Sequence, residues 1–99
     1  MSVYSLICQS DNKKNFSGHA IVEINNGIKT LISYKTEVAH IINNHAYITG
    51  FYSRTTTRHI KEFLSQEGFK AINKDQMNAD YFISMDSKKL QELRRSAAV

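Results

Sequence analysis

The sequence predicts an α+β domain: an antiparallel sheet of about five strands, in a hairpin meander, packed against one main helix, with a short C-terminal helix. Three observations point there. Residues 2–52 alternate β-branched and aromatic segments with Asn-rich turns, the hydrophobic spacing changes to a helical one at Ser53, and 99 residues leave room for a single core. The whole chain, residues 1–99, is read as one domain.

Taken in order, Val3–Cys8 is a first strand, running into the polar loop of residues 9–15. Residues 20–24 and 28–34 flank Asn25-Asn26-Gly27, and Asn-Gly supplies the positive φ angles of a tight hairpin. Residues 37–42 and 46–52 surround Asn43-Asn44-His45, a second hairpin by the same logic. From Ser53 onward, Thr56, Ile60, Phe63, Leu64 and Glu67 recur every three or four positions, predicting a helix from Arg54 to Glu67 that ends at Gly68. Ser53 is the natural N-cap because its hydroxyl can accept from a free N–H of the first turn. Residues 73–80 read as a polar loop and Tyr81–Met85 as another strand. Asp86 then caps a last helix, Ser87 to Ser96, whose seam is Leu90, Leu93 and Ala97. Such a thin seam suits a weakly docked peripheral helix or half of a homodimer interface.

One cysteine, Cys8, cannot form an internal disulfide, which argues for a reducing, cytoplasmic setting. Residues 1–8 carry no basic leader, and no window approaches the roughly 18 apolar residues of a membrane span. The net charge is +4, and it is uneven: residues 53–70 hold four basic and two acidic groups, the most basic segment per residue. A basic surface fits nucleic acid or an acidic protein face, and equally an ordinary solvated exterior.

Residues 52–61 combine three threonines, Thr55, Thr56 and Thr57, with Tyr52, Ser53, Arg54, Arg58 and Lys61. Arg54, Arg58, Lys61 and Ser65 fall on one stripe opposite the apolar face, beside a helix start that favours anions. Lys70 extends the basic set, and Tyr47 or Tyr52 could stack on bases. The structural alternative is that Ser53 caps, the threonines pack at the sheet edge, and Arg58 pairs with Glu62 in solvent. The four histidines are scattered without partners at metal spacing, so no metal and no cofactor is expected. His59 would need a nucleophile to act as a base, and Ser53 or a threonine is the local candidate; no catalytic motif is present, and a non-enzymatic role is expected.

Ser33-Tyr34-Lys35-Thr36-Glu37-Val38-Ala39, followed by the string from Gly50 to Leu64 with Tyr52-Ser53-Arg54-Thr55-Thr56-Thr57-Arg58-His59, resembles the signature of a family of small phage-encoded proteins without assigned function. The similarity covers residues 31–69, with Phe51 where many members have tryptophan. It implies a phage or prophage gene acting in the cytoplasm of a bacterial host. The expected partner is then a host protein or ribonucleoprotein complex that processes nucleic acid or serves defence, as with an anti-CRISPR inhibitor. The alternative is direct nucleic-acid binding by the basic face of the helix at residues 54–67.

Overall fold

A computed structural model describes residues 2–5, 20–50, 53–84 and 87–97. Five strands, β1 (Ser2–Ser5), β2 (Ala20–Asn25), β3 (Ile28–Ser33), β4 (Thr36–Ile42) and β5 (His45–Ile48), form an antiparallel sheet in chain order. Three helices follow: α1 (Arg54–Gln66), α2 (Lys74–Tyr81) and α3 (Lys88–Ala97). The expected meander and α+β class are thus present.

Three successive hairpins are closed by two-residue turns. Asn26-Gly27, Tyr34-Lys35 and Asn43-Asn44 all have positive φ, the geometry whose twist matches that of the flanking strands. Asn and Gly enter this region readily. A bulky side chain there is strained by about 1–2 kcal/mol, so Tyr34 (φ 50°) and Lys35 (φ 74°) occupy a turn that local chemistry alone would not place. The sheet also carries one irregularity. Leu31 pairs with Ala39 and Ile32 with Glu37, leaving Val38 as an extra residue in β4.

Pleat alternation divides the side chains between two faces. On one, Val22, Leu31, Ala39, Ile41, Ala46 and Ile48 meet Ile60, Phe63 and Leu64 of α1 and Met77 of α2, forming the main core. On the other, Thr30 and His40 lie opposite one another in register, and Arg94 of α3 reaches the His40 ring. Helices therefore close both faces, α1 and α2 on one and α3 on the other.

α1 is well determined at both ends. Ser53 Oγ accepts from the Thr56 N–H at 3.1 Å, as its position before the helical spacing predicts. At the C-terminus Phe69 N–H donates to Leu64 O at 2.9 Å and Gly68 N–H to Ser65 O at 3.1 Å, with Gly68 at φ 86°, a Schellman closure that turns Phe69 back onto the core.

Two sequence expectations need correction. Residues 73–80, read as a loop, belong to α2. Asn73 Oδ1 accepts from Gln76 N–H at 2.8 Å while Gln76 Oε1 accepts from Ile72 N–H at 2.6 Å, so the two side chains close the helix start reciprocally. The strand expected at Tyr81–Met85 shrinks accordingly: Tyr81 ends α2, and Phe82 makes only a single parallel bridge with Ile48, secured by Ile83 N–H to Ile48 O at 2.8 Å. Met85 and the expected cap Asp86 lie outside the described residues, as do Cys8, Phe51 and Tyr52.

Candidate functional site

α1 runs antiparallel to β3. Its first turn sits by Ser33 and its last by Lys29, whose ammonium bonds Glu67 Oε1 at 2.5 Å. At the first-turn end a buried polar chain joins helix to sheet. Ser33 Oγ lies 2.8 Å from His59 Nδ1 and 3.0 Å from Thr56 Oγ1, and Ser53 Oγ donates to Thr56 Oγ1 at 3.2 Å. The Tyr34 ring stacks on His59 with centroids 5.7 Å apart and planes 26° from parallel. Residues from both strings that carry the family resemblance thus converge: Ser33 and Tyr34 from one, Ser53, Thr56 and His59 from the other.

The partner of His59 is Ser33, from a strand 26 positions away, rather than Ser53 or a threonine of its own helix. A Ser-His contact of 2.8 Å has the spacing of a nucleophile and base, but Ser33 is 2% exposed and His59 0%, so the pair is closed off from solvent. Its evident work is to satisfy buried polar groups and set the register of α1 on the sheet.

The outer face of α1 is different. Arg54, Lys61 and Ser65 are exposed and Arg58 is half-buried. Glu62, the helix's only carboxylate, is 2% exposed and accepts from Gln66 Nε2 at 2.8 Å. Glu62 is therefore buried, not set in solvent as the structural alternative had it, while Arg54 and Lys61 are exposed. The threonines divide: Thr56 is buried, Thr57 Oγ1 donates to Ser53 O at 2.9 Å, and Thr55 is half-buried beside them.

The remaining predicted members do not join this surface. Tyr47 pairs with His40 in the sheet register, which turns its side chain to the face opposite α1. It cannot stack a base beside the basic stripe. Lys70 is exposed but lies past the far end of α1, about 20 Å of helix from Ser53; its carbonyl accepts from Tyr81 Oη at 2.8 Å. The aromatic at the correct end is Tyr34, half exposed, which sequence reasoning placed at the end of a strand. The signal that could have found it is the two-residue spacing between β3 and β4, which forces a tight turn.

At the far end of α1, Gly27, Lys29, Ile41, Asn43, Asn44, Glu67 and Phe69 line an open hollow of about 380 Å³. On the α3 face, Arg94 Nη2 lies 2.8 Å from His40 Nε2 and 3.2 Å from Glu37 Oε1. Arginine can only donate, so Nε2 accepts, and the ring proton sits on Nδ1, directed to Thr30 Oγ1 at 3.0 Å. Burial first, then the Arg94 charge, holds the His40 pKa down to about 4 from 6.5. Among the described residues no group of three His, Cys, Asp or Glu side chains is arranged to hold a metal ion, and no helix is long and apolar enough to cross a membrane.

The architecture is that of a small meander domain with helices on both sheet faces and a basic helix turned outward. The chain belongs to a family of unknown function, DUF8033, whose model matches residues 4–79. That span takes in both resemblance strings, α1 and nearly all of α2, and stops before α3. No curated protein and no solved structure matches the chain.

Proposed function

We propose that this protein is a non-enzymatic accessory protein that binds and modulates a host complex handling nucleic acid, docking through the outer face of α1. The observation that carries the reading is the charge arrangement of that helix. Arg54 and Lys61 are exposed while Glu62, the helix's only carboxylate, is buried, so the charge that α1 presents to an anionic partner surface is positive. The resemblance to phage-encoded proteins supplies the setting: the cytoplasm of a bacterial host, with a defence ribonucleoprotein of the CRISPR type as one such partner.

The test is association with purified candidate host ribonucleoproteins, followed by size-exclusion chromatography. The double variant Arg54→Glu, Lys61→Glu changes only exposed positions and should keep the wild-type circular dichroism spectrum while losing the complex. A complex that survives both charge reversals removes α1 as the docking face. A second reading, direct binding of nucleic acid, draws on the same cations. Tyr47, placed on the other sheet face, does not serve it.

A further inference from the structure

Resting on that reading of α1, we infer that the contacting element of the partner is a single-stranded nucleic-acid segment, and that Tyr34, at the β3–β4 turn, is the aromatic platform that receives a base.

The turn is the first reason. The other two hairpins fill their left-handed positions with Asn26-Gly27 and Asn43-Asn44, the residues that adopt positive φ most easily, whereas this one holds Tyr34 and Lys35 at φ 50° and 74°. A fold needing only a reversal there would be better served by Asn or Gly. The chain keeps a large aromatic and a cation at a strained position, and such outliers concentrate where side chains are used. The second reason is preorganisation. Tyr34 is 50% exposed, yet its ring is held by stacking on His59, itself fully buried and bonded to Ser33 Oγ at 2.8 Å. An exposed ring already fixed in orientation loses little freedom on binding.

The third reason is charge. Lys35 adjoins the ring in sequence and is exposed; Arg54, also exposed, lies two residues before Thr56, whose hydroxyl meets Ser33, the residue preceding Tyr34. Lys61 continues the line along α1. A π-face at the head of a cationic track is the pattern that accepts a single strand, with bases stacking and phosphates following the charges. A duplex keeps its bases paired inside and offers a single aromatic little, which decides between the two forms of nucleic acid.

The test uses the full chain and fluorescence anisotropy of a labelled oligothymidylate single strand and a labelled duplex of equal length, at two salt concentrations. Wild type should prefer the single strand, and three phosphate contacts, from Lys35, Arg54 and Lys61, predict a salt slope of log affinity near about 2. Tyr34→Phe should bind as wild type does. Tyr34→Asn relieves the turn and should keep or raise Tm while weakening single-strand binding about tenfold or more. Tyr34→Leu, which leaves an apolar cover on His59 but no π-face, should show the same loss and serves if the Asn variant does not fold. Unchanged single-strand affinity in these variants would assign the ring to holding His59 and overturn the inference, as would equal or tighter binding of the duplex. If wild type binds neither oligonucleotide but Arg54→Glu, Lys61→Glu still abolishes a host complex, the inference falls and the α1 reading stands. If the double variant binds every partner as wild type does, α1 itself is wrong.

Discussion

The two faces of the sheet each bury a histidine against a hydroxyl of β3, and they are closed in opposite ways. On the α1 face His59 meets Ser33 inside a layer where Ile60, Phe63 and Leu64 are all fully buried. On the α3 face His40 meets Thr30, and among the described residues the covering helix contributes one fully buried apolar side chain, Leu90, plus the Arg94 guanidinium on His40 and Glu37. α1 is held mainly by apolar area removed from water, a contribution that does not itself depend on protonation. α3 is held largely by a directional contact whose strength depends on one imidazole remaining neutral. A polar clamp can thus position a peripheral helix where sequence supplies too few apolar residues, at the expense of making it the first element to leave.

The largest expected effect breaks the stronger face. Phe63→Ala should lose about 3–5 kcal/mol, a large share of the roughly 5–15 kcal/mol typical of a single domain, and lower the thermal midpoint followed by circular dichroism more than any other substitution here. Leu90→Ala on the other face should cost about 2 kcal/mol, at the low end for such a truncation, and leave the sheet amides protected from hydrogen exchange while those of α3 exchange freely. Equal damage from both substitutions would contradict the contrast.

Acidification sharpens it next. The folded His40 pKa, about 4, lies below the 6.5 of the unfolded chain, so the unfolded state binds the extra proton in between. The contribution of neutral His40 is complete above pH 6.5 and is lost as pH falls to about 4, amounting to about 3 kcal/mol. Denaturant melts across that window should show the decline, and His40→Gln should flatten it. A window unchanged by His40→Gln would place the pH sensitivity elsewhere.

Arg94→Ala removes the donor to His40 Nε2 and should destabilise by about 1–3 kcal/mol. It also deletes the smaller of the two causes lowering the His40 pKa, so the ring should titrate above about 4 by NMR; an unmoved titration would show that Arg94 does not face it. The smallest effect returns to α1: Ser53→Ala leaves the Thr56 N–H without its acceptor and should cost about 1 kcal/mol in a thermal melt. If that loss approaches the effect of Phe63→Ala, the polar chain at the helix start would matter as much as the apolar layer.

Much of this fold is legible in the residues. Asn26-Gly27 dictates its turn, and the spacing from Thr56 to Leu64, bracketed by Ser53 and Gly68, yields α1 to within a residue at each end. α2 is less legible because it buries only Met77 and so shows no apolar stripe; the Asn73 and Gln76 pair is its one readable mark. In the candidate site, the outward basic face of α1 follows from helical spacing. That Tyr47 belongs to the opposite face, and Tyr34 to this one, does not.

Neighbours a few positions apart thus govern the two Asn turns, the caps of α1, its helical period and its charged stripe, but not the Tyr34-Lys35 turn. Which distant groups share a desolvated space is settled by packing alone. Ser33 with His59, 26 positions apart, and Arg94 with His40, 54 apart, pair because burial makes an unsatisfied polar group expensive and each must find whatever partner the packed sheet brings within 3 Å.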